Sequence, residues 1–470
     1  VNPQKADVLH SLGGFAGDLI GPGHPSYEQD RRMFNAEVDR RPALIAYCKD
    51  EADIKAAVRH VRDSSMSLSI RCSGHSLVGH SSVDGGLMID IGRLKRIEVD
   101  PRHRRVRVEA GVTWGELDAA TQCFGLAVTG ARNSTTGVVG VTLGGGTGWL
   151  ERKLGLSCDN LLAAELVTAE GEVIRADQRQ RPELLWALRG GGVDLGVVTW
   201  IELALSPLAS PVLGGQLLYP RDSAPELLRF LRALMPDAPD ELGIGLAMTS
   251  APDTPFVPDD VRSLPIVGLT VSYAGDPEVG RQVLRPLLDT FPPALETLGP
   301  RPYVDLQRIL DPLVPPGRRY AARALYVEAL SDDAIEILVN HARIAPSPPC
   351  EVIVAPGGGA LERVAPESSP LAHRDAAAAV WVLAAWDDAV DSERNVAWAC
   401  AGSIALDPFS VGVCLNLTGD EHPDRIQTAF AADGYDQLRA IKRTYDPDDV
   451  FGPNYGPLQM GADPARPERP

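Results

Sequence analysis

The sequence predicts an α+β protein of two domains, and three observations support this. At 470 residues the chain exceeds what one hydrophobic core ordinarily organises and suffices for two or three. Between Pro42 and Pro207 short β-branched runs follow one another closely with few helices between them, the pattern of a strand-dominated unit. After Pro207 proline becomes frequent and longer amphipathic helices alternate with apolar strands, so a second domain starts there.

Taken in order, the first part offers strands at Leu44–Cys48, Leu68–Cys72, Leu87–Ile91, Arg96–Val99, Val106–Glu109, Glu165–Thr168 and Val197–Leu205. Its strong early helix is Glu51–Arg62, where Asp50 can cap the start and Ile54, Val58 and Val61 recur on one face. A second helix, Trp114–Gln122, follows the turn at Gly111. Beyond Pro207 the helices include Ala224–Met235 and Val279–Thr290, and the strands Ile266–Ser272 and Ala378–Ala385. A final helix, Asp436–Arg443, leads into Tyr445-Asp446-Pro447 and turns at Gly452-Pro453. From Gly461 to Pro470 there is no apolar periodicity, so a loose end is expected. No repeat or low-complexity linker separates the two parts, which are therefore expected to pack together.

Composition narrows the function. Hydrophobic residues at 44% and charged residues at 23% are ordinary globular values, which excludes a fibrous or disordered protein. A formal charge of −18 argues against nucleic acid as a partner, because a phosphate backbone needs a basic face. The densest basic run, Arg102-His103-Arg104-Arg105, falls between two strands and reads as a solvated turn. No apolar run is long enough to span a membrane. Val1-Asn2-Pro3-Gln4-Lys5 lacks the order of a secretory signal, so the cytoplasm is the expected location. The cysteines number seven, an odd and scattered set without a CxxC pair or a histidine at metal spacing, so reduced thiols and no metal are expected.

Glycine concentrates at Arg71-Cys72-Ser73-Gly74-His75, along Gly137–Gly148, at Arg189-Gly190-Gly191-Gly192 and at Gly357-Gly358-Gly359. Such clusters let backbone amides approach an anionic ligand closely, although a single one is more simply a tight turn. The usual nucleotide templates fail. A Rossmann fingerprint opening at Gly144 needs glycine where Trp149 stands, and no cluster ends in the Gly-Lys-Ser/Thr of a P-loop. A nucleophile elbow at Gly74-His75-Ser76-Leu77-Val78 fails because its second glycine is displaced to Gly79 and a strand follows.

Several motifs in order resemble one family. They are Arg71-x-x-Gly74-His75-Ser76 followed by Asp84-Gly85-Gly86-Leu87; Thr136–Gly148 continuing into Trp149-Leu150-x-Arg152-Lys153; Asp159-Asn160-Leu161; Leu185-Trp186-Ala187-Leu188-Arg189-Gly190-Gly191-Gly192; Gly196-Val197-Val198-Thr199; and Tyr445-Asp446-Pro447 with Phe451 and Asn454. Together they resemble the berberine-bridge-enzyme-like branch of the vanillyl-alcohol-oxidase (PCMH-type) FAD-linked oxidoreductases, which includes bacterial oxidases of secondary metabolism. The resemblance runs from about Arg41 to Leu458. It implies a two-part FAD-binding domain made from residues 1–206 and a returning C-terminal segment, 421–470, with a substrate-binding domain of antiparallel sheet and covering helices at 207–420.

The same resemblance implies FAD bonded covalently to His75. A second link from cysteine is common in relatives, but its position here is Asn133, so a single link is expected. The implied cofactor-binding set is Arg71, Cys72, Ser73, Gly74, His75, Ser76, Gly79 and His80 in the first loop; Thr136, Gly137, Gly140, Gly144, Gly145, Gly146 and Gly148 in the second; and Asp159, Asn160, Gly196, Val198 and Asn454. Gly144, Gly145 and Gly146 are expected to pass against the FAD diphosphate, with Asp159 and Asn160 holding the next loop. Ser73 stands for a usual glycine, Asp194-Leu195 for Asn-Phe, Gly456 for a second Asn, and Cys414-Leu415-Asn416 for a Tyr-x-Asn element.

The implied reaction is hydride transfer from a small organic substrate to flavin, with molecular oxygen as the reoxidant. Tyr320, Arg323 and Asn416 resemble flavin-facing positions and are the catalytic candidates, each with the plainer reading of an ordinary strand residue. With tyrosine missing at Cys414, a protein that sequesters a metabolite in a flavin-floored pocket is the alternative.

Overall fold

The computed structural model describes residues 12–192, 195–417 and 423–452. The fold is α+β. Four strands form the first sheet in the order Asp18–Ile20, Leu44–Tyr47, Leu87–Asp90, Leu68–Arg71, and the last three run parallel. Leu87–Asp90 is buried throughout, as a central parallel strand must be. The crossover between Leu44–Tyr47 and Leu68–Arg71 is the helix Glu51–Ser64, whose Asp50 cap accepts from the Asp53 amide at 3.1 Å.

A second sheet is antiparallel, in the order Ile97–Asp100, Arg105–Glu109, Val197–Ala204, Leu161–Val167, Val173–Asp177. The strand expected at Glu165–Thr168 begins four residues earlier, because Ala163-Ala164 has little strand signal of its own and is held by pairing to Val197–Ala204. One core joins both sheets through residues such as Val58, Ile89, Val108 and Ile201. Leu438, Ile441 and Phe451, from the far end of the chain, complete it.

The largest sheet has nine strands, among them Val212–Pro220, Leu242–Ser250, Pro265–Tyr273, Arg319–Val327, Glu351–Pro356, Ala378–Trp386 and Ser410–Val413. Helices Ala224–Leu234, Pro277–Thr290, Asp332–Arg343 and Ser392–Leu406 cover one face. Strand alternation divides the residues between faces. Leu325 and Val327, Val352 and Val354, and Val380 and Val382 meet the helices. Ala324, Trp381 and Ile353 turn to the other face, toward the first two sheets.

All seven cysteines are free, in line with the reduced thiols expected. Among the described residues no helix is long and apolar enough to cross a membrane, and no cluster of His, Cys, Asp and Glu could hold a metal. The tail at Gly461–Pro470 lies outside the described residues.

Candidate cofactor and substrate site

The first wall of the site is backbone. At the end of strand Leu68–Arg71 the Arg71 guanidinium pairs with Asp90 and donates to the Tyr47 hydroxyl at 3.1 Å, which fixes the point where the chain leaves the sheet. The following loop turns at Gly74, φ +75°. Ser73 Oγ accepts from the Gly137 amide at 2.9 Å and so ties this loop to the start of the glycine run. A Cβ at Gly137 would stand 2.8 Å from that oxygen, which is why the position is glycine.

His75 projects between the two loops. Its Nε2 lies 2.8 Å from Thr135 Oγ1, and its ring stacks on Phe34 with centroids 4.0 Å apart and planes 25° from parallel. Burial lowers its pKa from 6.5 to about 4, so the imidazole is neutral at pH 7. Burial also pushes the Cys72 thiol up to about 12, leaving it protonated.

These loops border a cavity of about 410 Å³, within the range that encloses small molecules and cofactors. Of the residues expected to bind cofactor, Cys72, Ser73, Gly74, His75, Ser76 and His80 line it from the first loop. Thr136, Gly137, Gly140 and Gly144 line it from the second, and Gly196 and Val198 from the neighbouring strand. Gly140 is informative because no protein atom lies within 4 Å of where its Cβ would be. Protein packing gives no reason for glycine there, whereas a ligand against the backbone does.

The remaining residues of the expected set stand elsewhere. Gly145 and Gly146 do not border the cavity. Their φ angles are +116° and +84°, and the Gly146 amide already donates to Asn416 Oδ1 at 2.9 Å. A Cβ at Gly146 would stand 2.6 Å from the Ser157 Cβ, and one at Gly148 would stand 2.8 Å from the Gly130 nitrogen. These three glycines serve close chain packing, so of the triplet only Gly144 reaches the cavity. Gly79 is likewise a turn, φ +85°, packed under Val38. Arg71 anchors the loop from behind, away from the cavity. Asp159 pairs with Arg374 through two bonds of 2.9 and 2.7 Å, and Asn160 donates to the carbonyls of Leu154 and Leu156. Both brace the loop after the glycine run without bordering the cavity. Asn454 falls outside the described residues.

The second wall is the open face of the nine-stranded sheet. Tyr320 and Ala322 face it, and Arg323 does not, since adjacent strand residues point to opposite faces. Arg323 lies on the helix side, with Nη2 3.1 Å from Cys400 Sγ, so it is removed from the catalytic candidates. Tyr320 lines the cavity, but its hydroxyl donates to the Pro315 carbonyl at 2.7 Å and burial raises its pKa, which makes it a poor base. Asn416 also lines the cavity. Its amide is spent on the glycine run, accepting from Gly146 and donating to the Val141 carbonyl at 3.0 Å, so it positions that run.

Sequence reasoning missed Glu351. It pairs across to Leu383, which in turn pairs with Ala322, so the three form a row on the cavity face. Among the described residues it is the one carboxylate lining the cavity, and it has no hydrogen-bond or ion-pair partner there. Burial raises its pKa from 4.5 to about 7. The signal lay in Glu351-Val352-Ile353-Val354, a single acid in phase with the residues that turn away from the helices. Arg132, also missed, lies between the rings of Trp149 and Trp381 at 5.1 and 4.8 Å and is neutralised by Glu151 at 2.5 Å.

Comparisons with known proteins bear on the family and the fold. Residues 42–177 match the FAD binding domain family. An FAD-linked oxidoreductase of Dictyostelium discoideum is 30% identical over 467 residues, covering 97% of this chain and 99% of its own. The solved 6-hydroxy-D-nicotine oxidase of Arthrobacter nicotinovorans has a TM-score of 0.83 at 26% identity, covering 93% of this chain and 97% of that one. A variant of berberine bridge enzyme shares the fold, with a TM-score of 0.82 at 19% identity over 97% of this chain and 99% of that one.

Proposed function

This chain belongs to the berberine-bridge-enzyme-like FAD-linked oxidoreductases, and from that premise we propose an oxidase that holds FAD covalently through His75. It removes hydride from a small, mainly apolar metabolite, and Glu351 takes the proton. The observation behind this reading is the carboxylate of Glu351, unpaired on the sheet wall of the cavity that His75 borders on the loop wall.

The residues fit FAD. Gly140 gives room beside a cavity wall of main chain, and a neutral histidine stands at its edge, where a nucleophilic ring nitrogen is needed for attachment. When bound, FAD supplies a two-electron acceptor that molecular oxygen returns to the oxidised state. The protein does the rest. Ser73 and Gly137 hold the two loops in register, and the sheet face excludes water and holds the substrate carbon against the flavin. Glu351, with its pKa near neutrality, accepts a proton from a substrate N–H or O–H as hydride leaves the adjacent carbon.

Ile353, Leu383, Ala322 and the ring of Trp381 surround Glu351 on this wall. Such a surface suits a compact ring compound with one ionisable group better than a sugar, which demands many polar contacts. A relative named for the oxidation of 6-hydroxy-D-nicotine is in keeping with that class. The sequestration alternative rested on the absence of a base at Cys414, and Glu351 supplies one. The test is anaerobic titration of the purified protein with hydroxylated aromatic amines and with oligosaccharides, following flavin absorbance. Bleaching by the amines, with colour restored by air, is expected. No bleaching by any member of a broad panel, together with tight binding of one, would refute the oxidase reading.

A further inference from the structure

Asn133 occupies the position where the resemblance leads one to expect a second, cysteinyl attachment. It is not an idle replacement. Its Oδ1 accepts from the Thr135 amide at 3.0 Å, and because a backbone N–H can only donate, that atom must be the oxygen. The same oxygen lies 2.5 Å from Thr135 Oγ1 and therefore takes the hydroxyl proton. The threonine oxygen is left to accept, and the atom facing it at 2.8 Å is His75 Nε2. This direction of donation fixes His75 as the tautomer with hydrogen on Nε2 and the lone pair on Nδ1.

The ring plane is fixed separately by Phe34, stacked at 4.0 Å. Phe34 itself cannot drift. The next residue, Asn35, is 1% exposed and uses its whole amide, donating to the carbonyls of Leu77 and Tyr320 and accepting from the amides of Tyr320 and Glu37. Tautomer and plane are thus set by two groups that approach His75 from different parts of the chain.

We propose that Asn133 and Thr135 form a relay that presents His75 Nδ1 for attachment to the flavin, with Phe34 holding the ring in plane. The proposal rests on the reading of His75 as the attachment residue. In the attachment step His75 Nδ1 forms a bond to the 8α carbon. One hydrogen leaves that methyl group and one leaves the imidazole, both are taken up with the electron pair by the flavin ring, and molecular oxygen then accepts two electrons and two protons as hydrogen peroxide. Thr135 and Asn133 are positioning residues; neither touches the reacting carbon.

The test uses protein prepared from riboflavin-starved cells and incubated with FAD in air, and acid-stable and acid-extractable flavin are measured over time. Thr135→Val should bind flavin normally and attach it on the order of tenfold to a hundredfold more slowly, the range that loss of orientation produces. Thr135→Ser should restore the rate. Phe34→Leu should also slow attachment without loss of bound flavin, and the flavinyl peptide of the wild type should carry its bond on Nδ1. Attachment by Thr135→Val at the wild-type rate, or a wild-type bond on Nε2, would overturn the relay. Loss of all bound flavin from both Thr135→Val and Phe34→Leu would also overturn it, by making these residues part of binding. Wild-type flavin that is bound but wholly acid-extractable would instead remove the His75 reading beneath it.

Discussion

The two walls of the cavity are built on different principles. The loop wall, within residues 72–81 and 131–144, meets its occupant in part with main chain, at Gly74, Gly137, Gly140 and Gly144, and part of its specificity lies in where side chains are missing. The sheet wall meets its occupant with side chains, every second residue from strands that adjoin in space but lie tens of residues apart in sequence. A loop wall of this kind can recognise one invariant molecule and tolerates little change. A sheet wall can be rewritten one side chain at a time without touching the ladder, which is how one cofactor comes to serve many substrates.

The largest expected effect tests the loop wall. His75→Ala should leave no acid-stable flavin, measured by fluorescence of the denatured polypeptide, while the sheet wall remains folded.

Next comes Glu351, the unpaired carboxylate of the sheet wall among the described residues. Glu351→Gln should lower the rate of anaerobic flavin reduction by about 10²–10³, within the span of a lost general base. The wild-type rate should rise with pH through about 7, since the acceptor must be ionised, and the variant should lack that limb. Stability should move the other way. The folded pKa of Glu351 stands above the unfolded 4.5, so the protonated carboxyl is tolerated below pH 4.5 and stability falls as pH rises toward and through about 7. Above that window Glu351→Gln should melt at a higher temperature than the wild type, and equal melting temperatures at pH 8 would argue that the carboxylate is well solvated.

A third pair separates room for a ligand from room for the protein. Gly140→Val should stay soluble and lose flavin, because no protein atom beyond its own helix and chain neighbours lies within 4 Å of its Cβ position. Gly145→Val should lose soluble yield, because φ is +116° and Leu371 lies 3.3 Å from its Cβ position. Flavin content against yield for the two variants reads the difference. The smallest effect compares neighbours on one strand. Ala322→Leu should raise KM about tenfold by filling the cavity, whereas Arg323→Lys, on the helix side, should change it by less than about twofold.

This contrast also explains what was legible in the sequence. The His75 loop and the glycine run could be read directly, because backbone walls impose residue identities at consecutive positions. Tyr320, Arg323 and Asn416 were chosen from a short linear stretch or motif, and only strand parity separates the cavity-facing Tyr320 from Arg323. Glu351 was missed because its role depends on pairing with Leu383 and then Ala322, a register no local pattern states. Gly145, Gly146 and Gly148 looked like their neighbours because close packing and ligand contact demand the same absent Cβ. Element positions were recovered where β-branched or aromatic residues mark the strand, as in Ala378–Trp386, and lost at Leu161–Ala164, which has neither.

The far-end helix Gly434–Tyr445 packs against Pro182–Leu188, and Leu438, Ile441 and Phe451 finish the core of the first two sheets. That core is complete only when the end of the chain is in place. Residues of the large sheet and its helices, from Leu213 to Leu406, enclose a core of their own that needs nothing from the far end. A chain cut short before residue 438 would therefore lack Leu438, Ile441 and Phe451 from the core that backs the loop wall, while the core of the large sheet would keep all its own residues.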